Sequence, residues 1–223
     1  MKNIFTYSIL ISTILAYNTG YSGMYFQEGF SLSGNYSSQQ SDEENSNAIS
    51  IGLSYLTIQE SSYEKPTLSG TYEINGFYSQ IQTEDDLNME MFSGGLNYYM
   101  PNNLKFGFLY DTLYDFSGRD LDNFNAQGFD VKMKVSSNIV SLGYYDKKTF
   151  RFSTFLELMN YKSNFRIDVT SNGQQVLSTK DDTNTNLLRL GLGRKKDNLA
   201  FQAMITINED KETRYTLGII YGL

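Results

Sequence analysis

Seven charged side chains stand where the flanking residues alternate between bulky apolar and small or polar types: Glu73, Lys105, Asp111, Asp115, Arg151, Glu157 and Arg189. In an extended chain that alternation places all seven on the small-residue face. Inside a narrow enclosure, such charges either pair and fill the space or line a path for ions. Little else is available for catalysis. The chain has no His and no Cys, so a Ser or Thr nucleophile lacks its usual base, and imidazole or thiolate metal sites are excluded. Only carboxylate, Lys or Tyr chemistry remains, for instance from Glu84 and Asp120 in a deep external cleft, and the expectation is a protein without enzymatic activity, cofactor or catalytic metal. Gly191 to Arg194 lacks the Lys-Ser/Thr ending of a phosphate loop and sits within a strand.

The elements that must position these residues are β-strands. From Thr213 to Leu223, Tyr215, Leu217, Ile219, Tyr221 and Leu223 form one bulky apolar face, while Thr216, Gly218 and Gly222 fall on the other. A sheet with its bulky face outward and small or polar residues inward belongs in lipid. Ten such stretches are expected: 24–37, 47–58, 67–81, 87–100, 104–116, 129–145, 150–168, 184–193, 199–208 and 213–223. The first places Met24, Phe26, Phe30, Leu32 and Tyr36 outward, which leaves Glu28 on the lipid face unless a bulge near Gly29 or protrusion beyond the membrane moves it. In the sixth, Phe129, Val131, Met133 and Val135 are odd-numbered and Val140, Leu142 and Tyr144 even-numbered. A β-bulge near Ser136 to Asn138 is expected there, because a turn would leave an odd strand count. Counting from the turns puts Glu73, Asp111, Glu157 and Arg189 at similar depths, so contacts such as Glu157 or Asp111 with Arg189 are expected.

Bulk properties agree. One domain suits 223 residues, and a formal charge of -7 with no basic cluster larger than Arg194-Lys195-Lys196 argues against nucleic acid. Lys2 followed by the apolar run from Ile4 to Leu15 reads as a secretory leader, too short and lightly flanked for a retained anchor. Small residues at Gly20 and Ser22 place the cleavage after Ser22, giving a leader over 1–22 and a barrel over 23–223. Turns after the fourth, sixth and eighth strands are short, while 38–46, 117–126 and 170–183 are longer and polar. Both termini are therefore expected on the periplasmic side.

With leader, alternating strands and a terminal strand carrying Tyr221 and Leu223, the chain resembles the small single-chain bacterial outer-membrane β-barrel proteins over nearly its whole length. The resemblance implies an antiparallel up-and-down transmembrane barrel of ten strands, with eight or twelve as alternatives, in the outer membrane of a Gram-negative cell. It implies outer-membrane lipid and lipopolysaccharide as surroundings and the outer-membrane assembly machinery as a partner during biogenesis. Barrels of this class usually end in an aromatic residue; this chain ends in Leu223. A soluble sandwich or lipocalin-like barrel would also alternate, but would need a second layer over its bulky face in nearly every strand.

Two functions fit this reading. One is a structural or narrow, porin-like barrel of passive permeability with a charged, largely plugged lumen; ten strands leave little free cross-section. The other is surface interaction or adhesion through acidic loops containing Asp42-Glu43-Glu44, Glu84-Asp85-Asp86, Asp120, Asp122, Asp181-Asp182 and Glu209-Asp210, where divalent cations would bridge to lipopolysaccharide phosphates.

Overall fold

Ten antiparallel strands close into a single barrel, each hydrogen-bonded to its neighbours in sequence and β1 to β10. This computed structural model describes residues 21–26, 28–40, 45–59, 70–84, 86–146 and 152–223. The strands are β1 (Gly29–Gln40), β2 (Ser46–Gln59), β3 (Gly70–Thr83), β4 (Asn88–Tyr99), β5 (Leu104–Ser117), β6 (Phe129–Asp146), β7 (Ser153–Ser171), β8 (Gln174–Lys196), β9 (Leu199–Asn208) and β10 (Thr213–Gly222). Among the described residues two short helices accompany them: α1 (Ser22–Tyr25), before β1, and α2 (Arg119–Ala126), between β5 and β6. Closure pairs every strand on two sides, which is what a sheet in hydrocarbon requires. Both ends of the described chain lie at one end of the barrel, called here the near end, where Leu223 N–H donates to the Phe30 carbonyl at 2.9 Å.

The outer surface carries the apolar belt expected of a transmembrane barrel. Ile49, Ile51 and Leu53 on β2, Leu156 and Leu158 on β7, Leu190 and Leu192 on β8 and Tyr215, Leu217 and Ile219 on β10 are all exposed. Turn chemistry follows the sequence: Asn103, in the Pro101-Asn102-Asn103 turn, and Asp197 adopt positive φ of 69° and 54°. At the far end Asn172 and Gly173 both have positive φ, 51° and 76°, as a two-residue hairpin turn requires.

Several boundaries differ from the sequence expectation. The stretch around Met24 is not a strand: β1 starts at Gly29, and Met24 is buried inside the barrel on α1. Phe26 packs there beside it. Glu28 consequently precedes β1 and is exposed at the near end, which removes its conflict with the lipid face. Residues 67–69 lie outside the described residues, and β3 begins at Gly70. The polar stretch 170–183 is not a loop but the tip of a long hairpin, because β7 runs to Ser171 and β8 starts at Gln174.

The largest correction concerns β6. It pairs with β7 in unbroken register from Phe129 opposite Ser171 to Asp146 opposite Thr154, with neither bulge nor turn. Odd-numbered residues face inward throughout. What changes along the strand is the solvent outside it. Val140, Leu142 and Tyr144 face lipid in the belt, whereas Asp130, Lys132 and Lys134 face outward beyond it and are exposed. Beyond the lipid, water is outside and the apolar side chains must turn inward, so Val131, Met133 and Val135 join Phe165, Ile167 and Val169 in an internal apolar cluster. The phase is constant; the polarity inverts.

The same region protrudes. A membrane crossing needs about 9–11 residues, while β6, β7 and β8 have 18, 19 and 23. Pairing of β5 with β6 stops at Thr112 opposite Ser136, and that of β8 with β9 at Leu187 opposite Asn208. A three-stranded wing therefore extends past the belt at the far end. Helix α2 packs beneath it: Leu121 touches the internal cluster, Phe124 meets Phe129 edge-on at 6.1 Å, and Arg119 pairs with Asp86 at 2.6 Å.

Leu190 is flanked on the belt by Leu156 and Ile205. Leu190→Arg is expected to cost roughly 2–4 kcal/mol of barrel stability, the penalty for Arg at mid-membrane. Lys132→Leu, on the water-facing part of β6, is expected to stay within about 0.5 kcal/mol, as surface changes do. Urea titration of the heat-modifiable band on gels checks both.

Candidate functional site

Among the described residues the lumen holds two charge clusters, with Asp111 apart from both and Arg214 towards the far end. In the first, Glu157 on β7 is buried between two cations: Lys105 Nζ on β5 lies 2.6 Å from one carboxylate oxygen, and Arg189 on β8 lies 3.5 Å from the other. Strand register brings them together, since Glu157 stands opposite Arg189 and next to Gly143, whose other neighbour is Lys105. The missing side chain at Gly107 leaves room for the lysine, since a Cβ there would lie 3.3 Å from Lys105 Nζ. Arg189 Nε also donates to the Thr206 hydroxyl at 3.1 Å. The expected Glu157 to Arg189 contact is present.

Sequence reasoning missed the group at the centre of this cluster. Tyr21, just ahead of α1, inserts its phenol so that it accepts from Arg189 and donates to Glu157. Its ring stacks on Phe155 at 4.6 Å and lies under Lys105 Nζ at 4.6 Å. No strand periodicity marks Tyr21, because it is not in a strand and borders the leader.

The second cluster surrounds Glu73 on β3, which is completely buried. Tyr99 donates to it at 2.7 Å, Asn97 at 3.1 Å, and the backbone N–H groups of Ser22 and Gly23 at 3.3 and 3.5 Å. These are neutral donors. Gly23 is required by this approach, since a Cβ there would lie 2.9 Å from Tyr99 Cζ. Asn97 was readable in principle, because it stands directly opposite Glu73.

Asp111 does not join either cluster. It accepts from Ser137 at 3.0 Å and stands opposite Ser93, with no cation paired to it among the described residues. Equal counting from the turns failed here because strands in a barrel are tilted and staggered, so residues equidistant from turns differ in depth. Asp115 is a correction: it is exposed rather than in the lumen. A register shift between Glu90 and Met91 lets Tyr114 occupy an extra position, so Asp115 stands opposite Glu90 on the outer face. Arg151 lies outside the described residues.

Around these charges the lumen has two different walls. On β9, β10, β1 and β2 it is polar: Gln202 donates to Asn35 at 3.2 Å, Asn35 to Ser50 at 3.4 Å, and Ser37 bonds Thr216 at 2.9 Å. Towards the far end Arg214 donates to Gln39 at 2.6 Å. The wall from β3 to β8 is apolar in its far half, with Met89, Met91, Leu109, Ile139 and Phe165 buried together. At the near end Met24, Tyr25, Tyr99, Tyr145 and Phe155 pack against one another, and Lys195 secures the segment by donating to the Tyr25 carbonyl at 3.0 Å.

The acidic residues of the far end are partly neutralised: Asp86 pairs with Arg119, and Asp182 with Lys180 at 3.2 Å. Glu84 is exposed and accepts from Asn45 at 2.8 Å, and Asp120 is exposed on α2. Asp42, Glu43, Glu44 and Asp85 lie outside the described residues.

Removing one partner from a buried ion pair strands the other charge. Glu157→Gln, which leaves Lys105 and Arg189 without a carboxylate, is expected to destabilise the barrel by about 3–5 kcal/mol. Asp111→Asn removes a buried charge that has no cation and is expected to be neutral within about 1 kcal/mol or stabilising. Urea unfolding of both variants, followed by gel migration and circular dichroism, measures the contrast.

No model of a known protein family matches the sequence, and no curated protein matches it. Solved structures do. The β-domain of the Bordetella autotransporter BrkA aligns with a TM-score of 0.48 at 9% identity, over 89% of this chain and 100% of that one. The N-terminal β-barrel domain of Pseudomonas aeruginosa OprF aligns at 0.41 and 9% identity, over 88% and 100%. Ail, the attachment invasion locus protein of Yersinia pestis, aligns at 0.39 and 13% identity, over 88% and 100%. At these identities no site residue is carried over from them. The closed topology, exposed apolar belt and polar-lined interior make this chain a ten-stranded transmembrane β-barrel of the outer-membrane type.

Proposed function

We propose that this protein is a sealed outer-membrane barrel that holds a β-sheet wing above the cell surface, where the wing takes part in surface interaction. The near end then faces the periplasm and the far end the outside. The observation that carries the reading is the contrast between inside and outside. Side chains crowd the lumen: Tyr21 to Phe26 at the near end, Asp111 and its neighbours at mid-depth, and towards the far end the apolar cluster of β3 to β8 on one side with Arg214 and Gln39 on the other. β8, with 23 residues, is about twice as long as the roughly 9–11 a crossing requires, and its part from Gln174 to Asn186 belongs to the wing. Among the described residues two edges of the wing, Phe129 to Val135 and Gln174 to Asn186, have no neighbouring strand. Unpaired edges offer backbone donors and acceptors to an extended partner segment.

A narrow pore is the second reading, favoured by one observation. The wall made by β9, β10, β1 and β2 is lined mainly by Ser, Thr, Asn, Gln and Gly, with Leu56, Ala200, Met204 and Ile220 among its apolar exceptions, and a polar wall of this kind holds water once the space opens.

Two measurements separate the readings. The purified, folded mature chain in a planar bilayer is expected to show no discrete conductance steps; regular, salt-dependent steps would favour the pore. Replacing 168–178 by a two-residue Asn-Gly turn, which joins Ile167 to its partner Thr179, is expected to keep the belt in register and to cost only the packing of Val169 and Leu177 in the internal cluster. Cells displaying the shortened chain are expected to lose adhesion to other cells and to immobilised matrix proteins that full-length cells retain.

A further inference from the structure

Residues Tyr21, Ser22 and Gly23 are gripped by two separate buried carboxylates. Glu157 receives the Tyr21 phenol, which Arg189 also engages, and Glu73 receives the backbone N–H groups of Ser22 and Gly23 at 3.3 and 3.5 Å. Glu73 forms no ion pair among the described residues, so the neutral donors of this segment are half of what replaces its hydration. The fit is tight in the other direction too. Tyr21 and Ser22 are 1% and 0% exposed, and Phe155 stacks on the Tyr21 ring.

The small residues Gly20 and Ser22 mark the Ser22–Gly23 bond as the exit of a leader. Cleavage there would discard the phenol shared by Glu157 and Arg189 and leave a void against Phe155 and Lys105. Filled interiors do not tolerate such losses without cost.

We infer that the mature chain retains Tyr21, and that the leader is removed by hydrolysis of a bond ahead of it. Water adds across that peptide bond, leaving the leader with a new carboxylate and the mature chain with a new α-ammonium. The retained segment is an internal latch of the near end, with Glu73 and Glu157 as its receptors. The inference stands whether or not the lumen conducts, because it concerns which residues fill the near end.

The test uses the full chain, leader included, expressed in a Gram-negative host and purified from its outer membrane. Intact mass and amino-terminal sequencing are expected to place the first residue at Tyr21 or ahead of it, with Met1 removed along with the leader. A chain beginning at Ser22 or later overturns the inference, and so does an unprocessed chain beginning at Met1. Tyr21→Phe keeps the ring and removes the oxygen. Expressed in the same way, it is expected to lower the temperature at which the folded band converts to the unfolded one. A midpoint equal to that of the parent chain contradicts the latch; should the variant fail to accumulate, the parent's terminus decides alone.

Discussion

A strand that crosses a membrane meets two solvents along its length, and the arrangement of this barrel follows from that. Within the hydrocarbon, backbone donors and acceptors have no water, so the sheet must close on itself, and β1 pairs with β10 through ten residue pairs. Bulky apolar residues face the lipid there, and charges are confined to the lumen. Beyond the hydrocarbon the demand reverses. On β6 to β8 the outward face carries Lys132, Lys134, Arg166 and Lys180, and the inward face carries the apolar cluster. One continuous alternation serves both regimes because only side-chain identity changes.

Confining charge to a narrow lumen creates a second problem, and the two clusters solve it differently. Glu157 is compensated by cations, at 2.6 and 3.5 Å, and by a phenol. Glu73 is compensated by neutral donors, two of them from backbone outside the barrel wall. The consequence is structural. Residues that precede the first strand become part of the interior, where Tyr21, Met24 and Tyr25 pack with the wall residues Tyr99, Tyr145 and Phe155. In the far half an apolar cluster on β3 to β8 packs beside α2.

Much of the fold is readable from residues that satisfy lipid and lumen together. Tyr215 to Leu223 is an example: each outward residue is bulky and apolar, nearly every inward one small or polar, and the strand falls where alternation puts it. The six described members of the charged set separate by the same logic. Glu73, Lys105, Asp111, Glu157 and Arg189 are inward because their strands are regular up to that point. Asp115 is not, because one extra residue at Tyr114 reverses the faces, and nothing in the alternation announces it. Phe129 to Val135 misleads for a different reason. An apolar periodicity states which residues share a face, not whether that face meets lipid or a core. Tyr21 has no signature at all, since its role depends on the closed lumen formed by strands far away in sequence.

The central claim is that β6 keeps one phase while its surroundings change from lipid to water. The chain has no Cys, so single cysteines placed from 129 to 146 can each carry a spin label without background. Accessibility to oxygen, which concentrates in lipid, and to a water-soluble nickel complex then reads each position. The account predicts an unbroken period of two, with odd positions protected throughout. Even positions should be lipid-accessible at Val140, Leu142 and Tyr144 and water-accessible at Asp130, Lys132 and Lys134. A phase shift at 136–138, with labels at Val131, Met133 and Val135 accessible to oxygen in lipid, would contradict it.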